Sequence, residues 1–129
     1  MQHRKDLSEH RFEQGINCIN AAKILIDAGE YKSAANRSYY GVFHGMRAVL
    51  ALDGVDFGKH AGVMSYFRKN YIKTQVFAVQ LSRILTTLFE VRNESDYDDF
   101  YVISKEDVEA QFISAEFFLA EIRKFLDKA

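Results

Sequence analysis

The 129-residue chain has no proline and no tryptophan, and it has a single cysteine. It also lacks any long uncharged apolar run. Each shortage excludes something. Without proline, nothing of that kind breaks a helix from within. A lone Cys18 forbids an internal disulfide and fits a reducing compartment. No stretch approaches the roughly 18 apolar residues that a membrane span requires. The N-terminal MQHRKDLSEHRFEQ has no apolar signal core, so the chain reads as cytoplasmic, with no membrane role. The sequon-like Asn36-Arg37-Ser38 and Asn93-Glu94-Ser95 are then chance matches. Excess charge is lacking too. Seventeen basic residues against 18 acidic ones leave a net charge of -1, so no global basic field advertises nucleic acid. Any RNA binding must rest on a local patch.

What is present is helical patterning. Apolar residues make up 48% and charged residues 27%, ordinary globular composition for one domain over residues 1–129. Phe12, Ile16, Ile19, Ala22 and Ile26 recur at three- and four-residue spacing, predicting a helix over about 6–28 that a left-handed Gly29 ends. A second helix is expected from Tyr31 to Leu52, stopped by Asp53-Gly54 and followed by a glycine-rich loop, 54–62. Val63, Phe67 and Tyr71, with Tyr66, suggest a shorter third helix. Phe77, Leu81, Ile84, Leu85, Leu88 and Val91 mark a fourth, with the acidic stretch Glu94 to Asp99 after it. Ser104-Lys105-Glu106-Asp107 resembles a capping box and opens a last helix striped by Val108, Phe112, Ala115, Leu119, Ile122 and Leu126. Strand alternation is absent. These elements predict an all-α, up-and-down four-helix bundle with one additional short helix. The 11 phenylalanines and seven tyrosines read mostly as core, and Cys18 as a small core residue.

Chemistry concentrates on the second helix. Arg37 and His44 lie seven positions apart, on one face two turns from each other, with Tyr40 and Gly41 between them. Tyr39, Val42, Phe43, Met46, Val49 and Leu50 form the packing side. Gly41 and Gly45 each cost a helix roughly 1 kcal/mol against alanine. They leave room either for a ligand in a groove or for close packing of another helix.

The run Ala34-Ala35-Asn36-Arg37-Ser38-Tyr39-Tyr40-Gly41-Val42-Phe43-His44 resembles the signature helix of the HEPN (higher eukaryotes and prokaryotes nucleotide-binding) superfamily. The likeness is strongest to the bacterial and archaeal branch associated with minimal nucleotidyltransferases. It extends to Lys59-His60-Ala61-Gly62 and to Val91-Arg92-Asn93-Glu94-Ser95-Asp96-Tyr97-Asp98-Asp99, and so covers about residues 7–127. One departure is visible: glycines 41 and 45 stand where alanines are expected.

The resemblance implies a metal-independent endoribonuclease, the toxin of a toxin–antitoxin pair with a minimal nucleotidyltransferase protein. The alternative is a non-catalytic module that binds a nucleotide or that partner. Arg37 and His44, with six residues between them, match the family's catalytic pattern at its upper edge. His44 suits proton transfer near neutrality, and the Arg37 fork suits phosphoryl oxygens. Tyr40, Gly41, His60, Arg92 and Asp96 are candidate binding or supporting residues. The scheme needs no metal or cofactor. At 1.5 Å rise per residue, the two Cα atoms lie about 10 Å apart along the helix. One helix therefore grips a single phosphate poorly with both groups, and a homodimer along paired second helices would bring Arg37 of one chain toward His44 of the other.

Structural readings stand beside these. Arg37 could anchor on Asp96 or Asp98, and His44 could be a partly buried ring bonded to backbone. His60 could serve as a cap or surface residue. Glu94, Asp96, Asp98 and Asp99 match no calcium-loop spacing and read as a solvated loop or as partners for Arg37 and Arg92. Gly58-Lys59-His60 lacks the ending of a phosphate-binding loop. Arg68, Lys69 and Lys73 form a modest basic patch, His3 and His10 have no ligand spacing, and Tyr97 and Tyr101 are expected in an exposed loop.

Overall fold

The computed structural model describes residues 2–129, apart from the side chain of Asp96. Five α-helices follow one another: α1 (Gln2–Asp27), α2 (Tyr31–Leu52), α3 (His60–Phe67), α4 (Val79–Tyr97) and α5 (Lys105–Lys128). A single π-helical turn, Arg68–Ile72, continues α3. The expected bundle is formed by α1, α2, α4 and α5, with α3 as the short extra helix.

Local chemistry sets the boundaries. Gly29 has φ +78° and Gly54 has φ +72°, so the chain turns before and after α2 through a left-handed conformation that glycine adopts without strain. The side chain of Ser104 accepts the Asp107 amide at the start of α5, with Glu106 and Asp107 in the first turn. Ser104→Ala is expected to cost about 1 kcal/mol, read as a lowered midpoint in urea unfolding with an unchanged slope.

Four expectations need correction. The first helix begins earlier, at Gln2, and α4 runs into the acidic stretch, ending at Tyr97. Tyr97 therefore ends a helix, 85% exposed, while Tyr101 is half-buried against a small cluster of Ile26, Ala34, Ala35, Ile103 and Val108. Ile16 faces outward at 37% exposure, because the first helix keeps only part of its stripe against neighbours.

The core explains why α2 positions the site. It contacts α1, α3, α4 and α5, and Tyr39, Val42, Met46, Ala48, Val49 and Leu50 are wholly buried. Between Ala34 and Ala51, only Asn36, Arg37, Tyr40, His44 and Arg47 are not buried. A helix enclosed on every other side thus shows one narrow polar strip. Ser8, on α1, donates its hydroxyl to the Ala48 carbonyl at 2.7 Å and ties α1 to the buried flank of α2.

Candidate active site

The strip follows from helical spacing, since positions 37, 40, 44 and 47 fall on one face. Tyr40 links its members. The Arg37 guanidinium lies 5.2 Å from the centre of the Tyr40 ring, and the His44 ring centre is 6.2 Å from it. Arg92, from α4, donates Nη2 to the Tyr40 hydroxyl at 3.2 Å, and its guanidinium sits 5.4 Å from the Tyr39 ring and 5.5 Å from that of Tyr40. His60 comes from the first residue of α3, with its ring centre 4.2 Å from that of Phe43 and 5.6 Å from that of Tyr40. The core side of α2 holds it, because Tyr39 Oη lies 3.0 Å from His60 Nδ1. Three helices therefore bring two arginines and two histidines around one tyrosine.

Sequence reasoning did not pick out Arg47 or Arg11. Arg47 extends the 37–40–44 spacing by three and was legible on that ground. Arg11 reaches the site only through the packing of α1. Asp56 holds both: it bonds Arg47 Nη2 at 2.9 Å and Arg11 Nη2 at 3.3 Å. Its carboxyl is held below the usual range, chiefly by the Arg47 hydrogen bond. One carboxylate against two guanidinium groups leaves this end of the strip cationic.

The described cations act on both histidines of the site. His44 is pushed below its ordinary value of 6.5, first by burial, then by Arg47, Arg37, Arg11 and His60. His60 is lowered from 6.5 as well, first by burial, then by Arg92 and Arg47. A histidine whose folded pKa is depressed favours folding above its unfolded value, and that contribution is lost as pH falls. The thermal midpoint is accordingly expected to drop on going from neutral pH to below 6.5, and a His44→Gln/His60→Gln double variant should show a shallower slope there. A wild type and double variant with the same slope would contradict the assignment.

The geometry bears on the structural readings of these residues. Arg37 donates to Cys18 Sγ at 3.8 Å and covers Tyr40. Asp98 instead accepts the Phe100 amide at 2.9 Å. The Asp96 side chain, the other proposed anchor and a candidate site residue, lies outside the described residues. His44 makes no backbone bond through Nδ1, which is buried without a hydrogen-bond partner. His60 starts α3 but turns inward to Tyr39 rather than capping. Gly41 does not lie on the open strip. A Cβ there would stand 2.7 Å from Ile19 Cδ1 and 3.2 Å from the Gly15 carbonyl, so its role is close packing against α1. Cys18 is buried, as expected, and desolvation raises its thiol. Among the described residues, no three His, Cys, Asp or Glu side chains gather to hold a metal.

A helical bundle whose central helix carries Arg37, Tyr40, His44 and Arg47 on its open strip defines a class. The HEPN domain model matches residues 8–125, and the chain belongs to that family. It is 30% identical over 127 residues to a Thermotoga maritima protein named UPF0332 protein, covering 98% of this chain and 96% of that one. A Methanocaldococcus jannaschii protein named "Putative toxin" is 29% identical over 126 residues, covering 98% of this chain and 85% of its own. A second protein of that organism with the same designation is 32% identical over 108 residues, covering 84% and 80%. No described helix is long and apolar enough to cross a membrane.

Proposed function

We propose that this chain is a metal-independent endoribonuclease acting as the toxin of a toxin–antitoxin pair. The observation that carries this reading is the gathering of Arg37, Arg47, His44, His60 and Arg92 around the open strip of α2 in a chain of net charge -1. A phosphodiester is attracted by local positive charge. A partly exposed imidazole beside guanidinium groups supplies both proton transfer and stabilisation of phosphoryl oxygens. The two relatives designated "Putative toxin" support the toxin part of the reading.

In this mechanism the 2′-hydroxyl of RNA attacks the adjacent phosphorus. His44 takes its proton, and Arg37 and Arg92 stabilise the charge that gathers on the non-bridging oxygens. Arg37 stands beyond Tyr40 from His44, so we propose that two copies pair along the strip and that Arg37 of one chain serves His44 of the other. Mixing Arg37→Ala chains with His44→Ala chains then restores partial cleavage through one intact composite site. Two inactive variants that stay inactive after subunit exchange, or a strictly monomeric protein, would rule out the shared site.

The proposed antitoxin is a minimal nucleotidyltransferase protein acting in the cytoplasm. Phe100 and Val102, 90% and 85% exposed just beyond α4, are the kind of uncovered apolar surface that a partner buries. The whole reading is tested by expressing the chain in a bacterium. Wild type should arrest growth and fragment RNA, and co-expression of the partner should suppress both. Growth and RNA unchanged by the wild-type chain would favour a non-catalytic, partner-binding module.

A further inference from the structure

A phosphodiester cleavage of this kind moves two protons, one from the attacking oxygen and one to the leaving oxygen. His44 accounts for one. We propose that His60 is the second proton-transfer group, donating to the leaving 5′-oxygen while His44 accepts from the 2′-hydroxyl, and that Tyr39 is the positioning residue that aims it. This assignment rests on the ribonuclease reading and adds to it a residue from a separate helix.

The geometry distinguishes the two rings. Both lie against the same pair of aromatic side chains. His60 is 5.6 Å from Tyr40 and 4.2 Å from Phe43, and His44 is 6.2 Å and 5.9 Å from the same rings. They are close enough that the charge of His60 lowers His44. Their inner nitrogens differ. An imidazolium carries a proton on both nitrogens. At His60 the inner N–H finds Tyr39 Oη at 3.0 Å. Tyr39 is fully buried and fixed by contacts with Tyr40, Phe43 and Phe89. Burial pushes its phenol up to about 12, so a neutral hydroxyl faces the ring throughout the working pH range. At His44 the inner nitrogen is buried with no acceptor, so a standing charge there would leave a desolvated N–H unbonded. The charged form suits His60, the acid. The neutral form suits His44, the base.

Among the described residues, the charged groups that act on the pair come from four helices. His44 faces Arg11 from α1, Arg37 and Arg47 from α2 and His60 from α3. His60 faces Arg47 and, from α4, Arg92. Asp56 is the carboxylate bonded to Arg11 and Arg47. In the free protein these cations favour neutral rings. A bound phosphodiester brings negative charge among them and favours the imidazolium at His60 when substrate is in place.

The step balances. The 2′-oxygen bonds phosphorus as its proton passes to His44. The bond from phosphorus to the 5′-oxygen breaks as that oxygen takes the proton of His60. The products are a 2′,3′-cyclic phosphate and a 5′-hydroxyl, with no change of oxidation state, and exchange with water returns both histidines to their starting forms.

The test compares two oligonucleotides, each with one ribonucleotide at the scissile position, one with the natural 5′-oxygen and one with sulfur in its place. Thiolate leaves without being protonated. His60→Gln should slow cleavage of the oxygen substrate by ~10²-fold or more, yet cleave the sulfur substrate at nearly the wild-type rate. His44→Gln should be slow on both. Tyr39→Phe should lose less on oxygen, keep full rate on sulfur, and move the alkaline limb of the pH profile, which a purely structural role would not do. Should His60→Gln be equally impaired on both substrates, or impaired on neither, His60 is not the acid. If His60→Gln unfolds, the Tyr39→Phe comparison decides by the same criterion. A wild type that cleaves neither substrate sinks the ribonuclease reading and the acid assignment together.

Discussion

Arg37→Ala and His44→Ala are each expected to lower RNA cleavage by ~10²–10⁴-fold while leaving the bundle folded. The asymmetry between activity and stability comes from where these side chains sit. Both are partly exposed on the one open strip of α2, so removing them costs less packing than removing a wholly buried side chain. The hydrogen bond Arg37 makes to the Cys18 sulfur, at 3.8 Å, is of a weak kind, and its contact with Tyr40 is a surface cation–π pair worth about 0.5–1 kcal/mol. Lysine at position 37 should restore only part of the rate, because a point charge does not match two phosphoryl oxygens as a planar fork does. Cleavage rate and thermal midpoint measured on the same preparations check this. A large fall in midpoint for either alanine variant would assign the pair a structural role.

The second large effect concerns stability. Helices α1 and α2 meet at Gly15, Gly41 and Gly45. A Cβ on Gly15 would stand 2.9 Å from the Gly41 carbonyl oxygen, and one on Gly45 would stand 2.7 Å from Leu119 Cδ2. The first obstacle is backbone, which cannot rotate away. Gly15→Leu must push α1 off α2, and overpacking of this kind costs about 1–3 kcal/mol or more, well beyond the helix propensity gained. Gly58→Ala is the control, since a Cβ there meets nothing within 4 Å. It should be neutral. Because α1 carries Arg11 and Cys18 to the strip, Gly15→Leu should also weaken RNA cleavage. A Gly15→Leu protein with an undiminished midpoint would show that the glycines do not set the helix spacing.

Much of this arrangement was legible in the sequence. Periodicity placed α2 from Tyr31 to Leu52, Gly29 and Gly54 marked the turns, and the Ser104 cap opened α5. Arg37, Tyr40 and His44 were legible as one face because their spacing is local to a helix. Arg11 and the Tyr39–His60 contact were not, because each joins residues brought together only by packing between helices. The purpose of Gly41 was ambiguous for the same reason: its spacing fits either a groove or a close neighbour, and only the position of Ile19 decides. The end of α4 was misplaced because acidic residues near a helix C-terminus oppose the helix dipole, so the pattern there favoured a stop that the fold does not make.

The most direct measurement is the chemistry of the ends. Purified chain, incubated with single-stranded RNA in the presence of a chelator, should leave 2′,3′-cyclic phosphate and 5′-hydroxyl termini, and His44→Ala should leave the RNA whole. Intact RNA with the wild type, fragments bearing 5′-phosphates, or equal cleavage by wild type and His44→Ala would contradict the account.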